Sequence, residues 1–285
     1  VQPYQVLEKK YARYVQSKYA VSCNTGTAAL HLACLALGIG KGDEVIVPDF
    51  SMAACGFSVS YTGATPVFVD CDDRLCIDVN LIEKKITKKT KAIMAVHIYG
   101  RLCKMAKIHK IAKKYGLYVI EDACEAQGAV FNSKADITCY SFYANKIIHA
   151  EEGGICTTNS KKLANAMNYY KNMAFTPEHD YFHEEIGYNY RMPNAEALLA
   201  IESLDNIEKE LKRRRGVEKE LIKATKLEEM MPPRDVVWVY DVLKIVKGEN
   251  TRPFFKPLSS FPMYGGKCQS PKAEFYSKHG SYIKI

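Results

Sequence analysis

A chain of 285 residues that is 47% hydrophobic and 25% charged can bury a sizeable core and is too apolar to be a disordered segment. Its net charge of +8 admits an anionic partner, but no apolar run approaches the roughly 18 residues of a membrane span, and no leader-like stretch is read at the start. Ten cysteines with no CxxC spacing point to reduced, mostly buried thiols, so the expectation is a cytoplasmic protein without metal or membrane contact.

In chain order, "VQPYQVLEKKYARYV" reads as an amphipathic helix. From Tyr19 to about Thr158, short β-rich runs alternate with helical segments. "AVSC" precedes a helix through "TAALHLACLAL", "EVIVP" precedes "SMAACGFSVSYT", and "TPVFVD" precedes a helix near "VNLIEKKI". "AIMAVHI" leads into "KMAKIHKIAKKY", and "LYVIEDA" follows. Strands of near-continuous apolar character alternating with helices predict a mostly parallel sheet covered on both faces. "ITCYSFY" and "GICTTN" add two strands. One long helix is expected from about Asn194 to Leu221, and "VVWVYDVLKIV" (Val236–Val246) reads as a strand of a smaller C-terminal unit. The basic run "ELKRRRGVEKEL" (Glu210–Leu221) suggests nucleic acid by charge alone. Its Glu-rich flanks, with apolar residues at helical spacing, predict a solvated helix face and no nucleic-acid partner.

Ligands in such sheets sit beyond the carboxyl ends of the strands. The first strand is not followed by GxGxxG, which weighs against a dinucleotide fold. It is followed by "NTGTAAL", where Gly26 permits close backbone approach and Thr27 brings a hydroxyl to a helix start, a phosphate seat or simply a cap. In "VIEDACEAQGA", Glu121 and Asp122 end an apolar strand. Asp122 could be a helix cap, or the carboxylate that keeps a pyridinium nitrogen protonated. In "YSFYANKIIHAEEGG", Lys146 follows an aromatic run and precedes a glycine pair. Burial there would disfavour the ammonium form and open imine chemistry, with Ser141 on the preceding strand turned toward the same phosphate.

With these residues, the chain resembles the sugar-nucleotide aminotransferases, pyridoxal 5′-phosphate (PLP) enzymes of the aspartate aminotransferase fold. The matching stretches are "NTGTAALHLACLALGIGKGDEVIVPDF", "GATPVFVD", "VHIYG", "VIEDACEAQGA", "CYSFYANKI", "EEGG", "GYNYRMPNAEALL" and "TRPFFKPLSSFPMY", in order along most of the chain. The resemblance implies an α/β architecture of PLP fold type I, a mostly parallel mixed sheet flanked by helices. A large PLP-binding domain would span 1–205 and a smaller α+β domain 206–285. It implies that Lys146 carries PLP as the internal aldimine and then shuttles the proton, and that Asp122 pairs with the pyridine nitrogen. Glu125 would sit near the ring hydroxyl, where relatives often have Gln or His, and Gly26, Thr27 and Ser141 would hold the phosphate. Asn189 or Arg191, in "GYNYRM", would reach the neighbouring subunit's PLP across an obligate homodimer with shared active sites.

The implied reaction moves an amino group from L-glutamate to the keto group of a nucleotide-diphosphate deoxysugar, in two ping-pong half-reactions. "YFHEEIGYNYRM", "TRPFFKPL" and Glu125 resemble the C4-aminating branch, GDP-perosamine synthase and its relatives, which makes a 4-keto-6-deoxyhexose the expected acceptor and His183 and Arg252 substrate-side candidates. Two departures stand out. Met52 replaces an aromatic that stacks on the cofactor in relatives, and Glu151 enters a stretch that is usually small, where it is expected to disturb the loop. The chain is also shorter than family members around "VFNSKADI" and "KGENTRP". Two other readings stay open: a catalytically silent binding or regulatory protein of the same fold, and a PLP-dependent sugar dehydratase, whose members carry histidine at the lysine position.

Overall fold

The computed structural model describes residues 1–176, 178, 181–225 and 231–285. Helix α1 (Pro3–Tyr14) leads into β1 (Tyr19–Cys23), α2 (Gly26–Ala36), β2 (Glu44–Pro48), α3 (Ala53–Tyr61), β3 (Thr65–Val69) and a short α4 (Val79–Ile82). Next come β4 (Thr90–Val96), a single turn at Ile98–Gly100, α5 (Met105–Tyr115), β5 (Tyr118–Asp122), β6 (Ile137–Ser141) and β7 (Gly154–Thr158). These seven strands form one sheet in the order β1-β7-β6-β5-β4-β2-β3. Strands β6, β5, β4, β2 and β3 run parallel, while β7 is antiparallel to both β6 and β1. The expected mostly parallel mixed sheet is therefore present, and the carboxyl ends of β5 and β6 share one edge.

The two-residue period of each strand divides the core. Val45, Val47, Ala92, Met94, Val96 and Ile120 pack into the cluster that holds α1 and α2, whereas Ile46, Ile93, Ala95 and Val119 pack with Ile108 and Ile111 of α5. The same alternation sends neighbouring Glu121 and Asp122 to opposite faces. Glu121 faces His97, whose Nε2 lies 2.9 Å away, and Thr138, whose hydroxyl donates at 3.0 Å. Burial works to raise the Glu121 carboxyl, but His97 and the Ser133 and Thr138 hydroxyls outweigh it and hold the group below its ordinary value. Only Asp122 of the acidic pair is left for a ligand on the other face.

Beyond the sheet lie α6 (Lys161–Lys171), α7 (Asn194–Asp205), α8 (Ile207–Thr225), β8 (Val239–Val242), β9 (Thr251–Pro253), α9 (Pro271–His279) and β10 (Ser281–Lys284). The single helix expected over 194–221 is two helices. Asn206 caps α7, and its side-chain amide donates to the Glu202 carbonyl at 2.9 Å, a bond that competes with helix continuation. The strand expected over 236–246 is confined to Val239–Val242, and α6 and α9 are helices that the apolar pattern did not single out. Strands β8, β10 and β9 form a second, antiparallel sheet. It is fastened to the first by Arg101, buried after the Ile98–Gly100 turn, whose Nη1 lies 2.8 Å from Asp241 Oδ2 on β8. Gly100 makes that junction possible: its φ is +79°, and an added Cβ would lie 1.9 Å from the Val236 carbonyl oxygen. All ten cysteines are free thiols, eight of them buried.

Candidate active site

A cavity of about 420 Å³ opens at the carboxyl ends of β5 and β6, and Asp122, Glu125, Ser141 and Lys146 line it together with Gly26, Thr27 and Met52. Asp122, the last residue of β5, is 5% exposed. Its Oδ1 accepts the Cys124 backbone N–H at 3.0 Å and its Oδ2 accepts the Cys55 thiol at 3.2 Å. Burial, reinforced by the Asp122 charge, pushes the Cys55 thiol well above its ordinary value, so it stays a donor. Both carboxylate oxygens are thus fixed by hydrogen bonds from Cys124 and Cys55.

Lys146 sits in the turn after β6, its side chain only 12% exposed, with Nζ 3.9 Å from Glu125 Oε1. The same Nζ stands 4.0 Å from the ring centroid of Trp238, the chain's single tryptophan, which arrives just before β8. The indole N–H donates to the Asn145 carbonyl at 2.9 Å. Arg214 of α8 donates to the carbonyls of Trp238 (2.6 Å) and Lys146 (3.4 Å), with Glu210 as counter-ion at 2.7 Å. The basic run is therefore not wholly a solvated face: Arg214 is 4% exposed because it ties α8 to the lysine's turn, while Lys212, Arg213 and Arg215 face solvent.

The opposite wall is the start of α2. Thr25 caps the helix through a 3.0 Å bond from the Ala28 N–H, and the first two helical residues, Gly26 and Thr27, line the cavity. At Gly26 an added Cβ would lie 2.7 Å from Ser141 Cβ and 3.0 Å from Ser141 Oγ, so only glycine lets the helix start and β6 come this close. The glycine pair after Lys146 serves the same contact, since a Cβ on Gly154 would lie 2.4 Å from the Thr25 carbonyl oxygen. Glu151 does not disturb this loop. Its backbone N–H and that of Glu152 both donate to Glu196 Oε2, at 3.1 and 3.2 Å, while the Glu151 residue is exposed.

The remaining candidates lie elsewhere. Asn189 and Arg191 do not line this chain's Lys146 cavity. They border a separate cavity of about 680 Å³ beside Lys171, where Arg191 Nη1 donates to Asn172 Oδ1 at 2.9 Å. His183 is exposed and packs its ring on Phe175, 4.7 Å between centroids. Arg252, exposed on β9, donates to the Glu249 and Thr251 carbonyls and pairs in register with Tyr282, which does line the cavity.

Residues 2–253 match the model of the DegT/DnrJ/EryC1/StrS aminotransferase family. The chain belongs to this family. Among similar proteins, a GDP-perosamine synthase of Caulobacter vibrioides is 40% identical over 286 residues, covering 90% of this chain and 77% of that protein. A UDP-2-acetamido-2-deoxy-3-oxo-D-glucuronate aminotransferase of Pseudomonas aeruginosa is 37% identical over 218 residues, covering 74% and 60%. The crystal structure of S. venezuelae DesV in complex with a ketimine intermediate superposes with a TM-score of 0.90 at 29% identity, covering 100% of this chain and 84% of that one. This member of the DegT/DnrJ/EryC1/StrS family is a PLP-dependent aminotransferase of the class that acts on nucleotide sugars.

The cavity of this family member fits PLP on its own observations. It pairs a helix N-terminus pressed against a serine hydroxyl, suited to a phosphate, with a carboxylate and a lysine amine on one buried surface. Asn145 Oδ1 is also buried at its wall with no hydrogen-bond partner among the described residues. Sequence reading missed Trp238, Tyr282, Phe255, Cys124 and Glu152, which also line the cavity. The lone tryptophan in an apolar run was the one signal available for them.

Proposed function

We propose that this chain transfers the amino group of L-glutamate to the C4 keto group of a nucleotide-linked 6-deoxyhexose, through two half-reactions at the Lys146 cavity. The observation that carries the reading is the meeting of Lys146 and Asp122 on one buried cavity whose far wall is the Gly26–Ser141 contact. PLP, when bound, supplies a ring that withdraws electrons and so stabilises negative charge at the substrate carbon. Asp122 would pair with the ring nitrogen, its own oxygens fixed by Cys55 and Cys124. Gly26, Thr27 and Ser141 bind the phosphate. Lys146 offers its amine to hold the cofactor and, once free, carries the proton between the reacting carbons. Met52, 53% exposed at the N-cap of α3 and lining the cavity, would offer the ring a pliable thioether in place of an aromatic.

Arg252 beside Tyr282, and the more distant His183, are the candidates for the sugar nucleotide. A homodimer in which Asn189 and Arg191 serve the neighbouring site agrees with their distance from the cavity of their own chain. Residues 1–205 act as the PLP-binding domain and 206–285 as the smaller domain that supplies Trp238 and Tyr282. Free thiols throughout agree with a cytoplasmic setting.

The test is spectroscopic and then chemical. PLP added to the purified chain should give imine absorbance that Lys146→Ala lacks, and L-glutamate should convert it to the pyridoxamine form. A panel of nucleotide 4-keto and 3-keto sugars should then reverse the change, fastest with a 4-keto-6-deoxyhexose. Reversal by a 3-keto sugar alone would move the acceptor carbon, as the name of the Pseudomonas relative suggests. No spectral response to glutamate would leave the silent-scaffold reading.

A further inference from the structure

Glu125 is a carboxyl group with little to hold it charged. It is 6% exposed, and burial raises it, against the pull of Lys146 and of the Tyr99 N–H, to a value of about 7. The Tyr99 backbone N–H donates to Oε2 at 2.8 Å. Tyr99 can aim it there because its own backbone is left-handed, φ 49° and ψ 37°, an unusual conformation for a non-glycine residue that the rings of Phe254, Phe255, Trp238 and Tyr282 hold in place. With Oε2 occupied, Oε1 is the oxygen that faces Lys146 Nζ at 3.9 Å.

The charged and titratable groups around this carboxyl come from every packed element. Lys146 approaches from the turn after β6 and Asp122 from β5. Asp241 on β8 is itself neutralised by Arg101 at 2.8 Å and Arg234 at 2.5 Å. The Tyr282 phenol on β10, the Tyr99 phenol and the Cys55 thiol on α3 are raised and remain neutral. Lys146 is therefore the one cation facing Glu125 without a closer counter-ion of its own among the described residues.

We infer that Glu125 is the acid–base partner of Lys146, the group that takes the proton the lysine must lose to become a nucleophilic amine and that returns it afterwards. In the forward step the N–H bond of the ammonium breaks with its electron pair left on Nζ, and the proton bonds to Oε1. An ammonium–carboxylate pair becomes an amine–carboxylic acid pair, with no net change of charge and no third reactant. A dry cavity favours the step, since burial penalises the charged forms of both groups and the neutral pair carries no such cost. This gives Glu125 a role that a glutamine at the same position could not fill, because an amide accepts the Tyr99 N–H but carries no titratable proton.

The inference rests on Lys146 being the imine-forming residue, and the experiment separates the two. Infrared spectra of the chain before PLP is added are recorded from about pH 5.5 to about pH 8.5, together with the pH profile of the glutamate half-reaction of the PLP-loaded chain, for the parent and for Glu125→Gln. The parent should show the carbonyl stretch of a protonated carboxylic acid that disappears as pH rises through about 7, and Glu125→Gln should lack it. The variant's half-reaction should slow about tenfold at neutral pH, with KM for glutamate within about twofold, and should lose the transition near neutrality. Absence of a Glu125-dependent band, or superimposable pH profiles, overturns the inference. If Lys146→Ala still forms the imine with PLP, the reading of Lys146 falls instead.

Discussion

Gly26→Ala sets two effects of opposite sign against each other. Alanine is the better helix former by about 1 kcal/mol, and Gly26, the first residue of α2, has no left-handed backbone that would demand glycine. On propensity alone the variant gains stability. The new methyl, however, meets Ser141 at 2.7 Å from Cβ, 3.0 Å from Oγ and 3.3 Å from Cα, and Ser141 belongs to a buried central strand that cannot retreat freely. Overpacking of this kind costs about 1 to 3 kcal/mol, so the contact offsets the gain and the net loss is about 0 to 2 kcal/mol. The relaxation must widen the gap between the start of α2 and β6, where the phosphate would bind, so PLP affinity should fall about tenfold or more. Urea unfolding reads the first effect and absorbance titration with PLP reads the second. Ser141→Gly in the Gly26→Ala background removes the two nearest atoms and should recover stability, while affinity stays low because the hydroxyl is gone. A variant that is more stable than the parent and binds PLP within about twofold would refute the cradle.

The other predictions are independent of that contact. The free Glu125 side chain loses its proton near 4.5 and the folded one near 7, so the folded state binds more protons between those values. Stability should fall as pH rises through that window, by about 3 kcal/mol in all, and the slope should vanish in Glu125→Gln when urea unfolding is repeated across pH. Arg214→Met leaves the Trp238 and Lys146 carbonyls without their donor, while Glu210 keeps Arg213 at 2.7 Å, and should cost about 2 kcal/mol, whereas Arg215→Met, at an exposed position, should change the unfolding free energy by less than about 0.5 kcal/mol. Because the single tryptophan lies against Lys146, PLP loading should quench its emission saturably with one cofactor per chain. Unchanged emission on a loaded chain would remove Trp238 from the site.

The strand–helix alternation was legible because each buried strand writes its apolar run locally, and β1 to β7 all fall where those runs stand. Lys146, Asp122, Ser141 and Gly26 were legible for a related reason: in a parallel sheet, ligand residues follow the strand ends, and a strand end is a local feature of sequence. What stayed hidden depends on distance along the chain. Nothing near Arg214 distinguishes it from Arg213 or Arg215, yet it alone of the three turns inward, to carbonyls contributed 24 and 68 residues away. The break at Asn206 was hidden for the opposite reason, since the apolar period continues through it and only a side-chain bond to Glu202 interrupts the helix.

The second sheet shows why such residues matter to the chemistry. A lysine amine held only by its own turn would have the freedom of a long side chain, and freezing it would cost entropy at each encounter with a substrate. Here the turn is fixed from outside. Arg214 grips the Lys146 and Trp238 carbonyls, the indole N–H grips Asn145, and the indole face meets Nζ. The last contact is weak and releases the amine readily, whereas the first three are hydrogen bonds to backbone and do not depend on what the amine is doing. The C-terminal unit can therefore keep the turn rigid while the amine moves between Trp238, Glu125 and the cavity, which is the combination that a proton-carrying lysine requires.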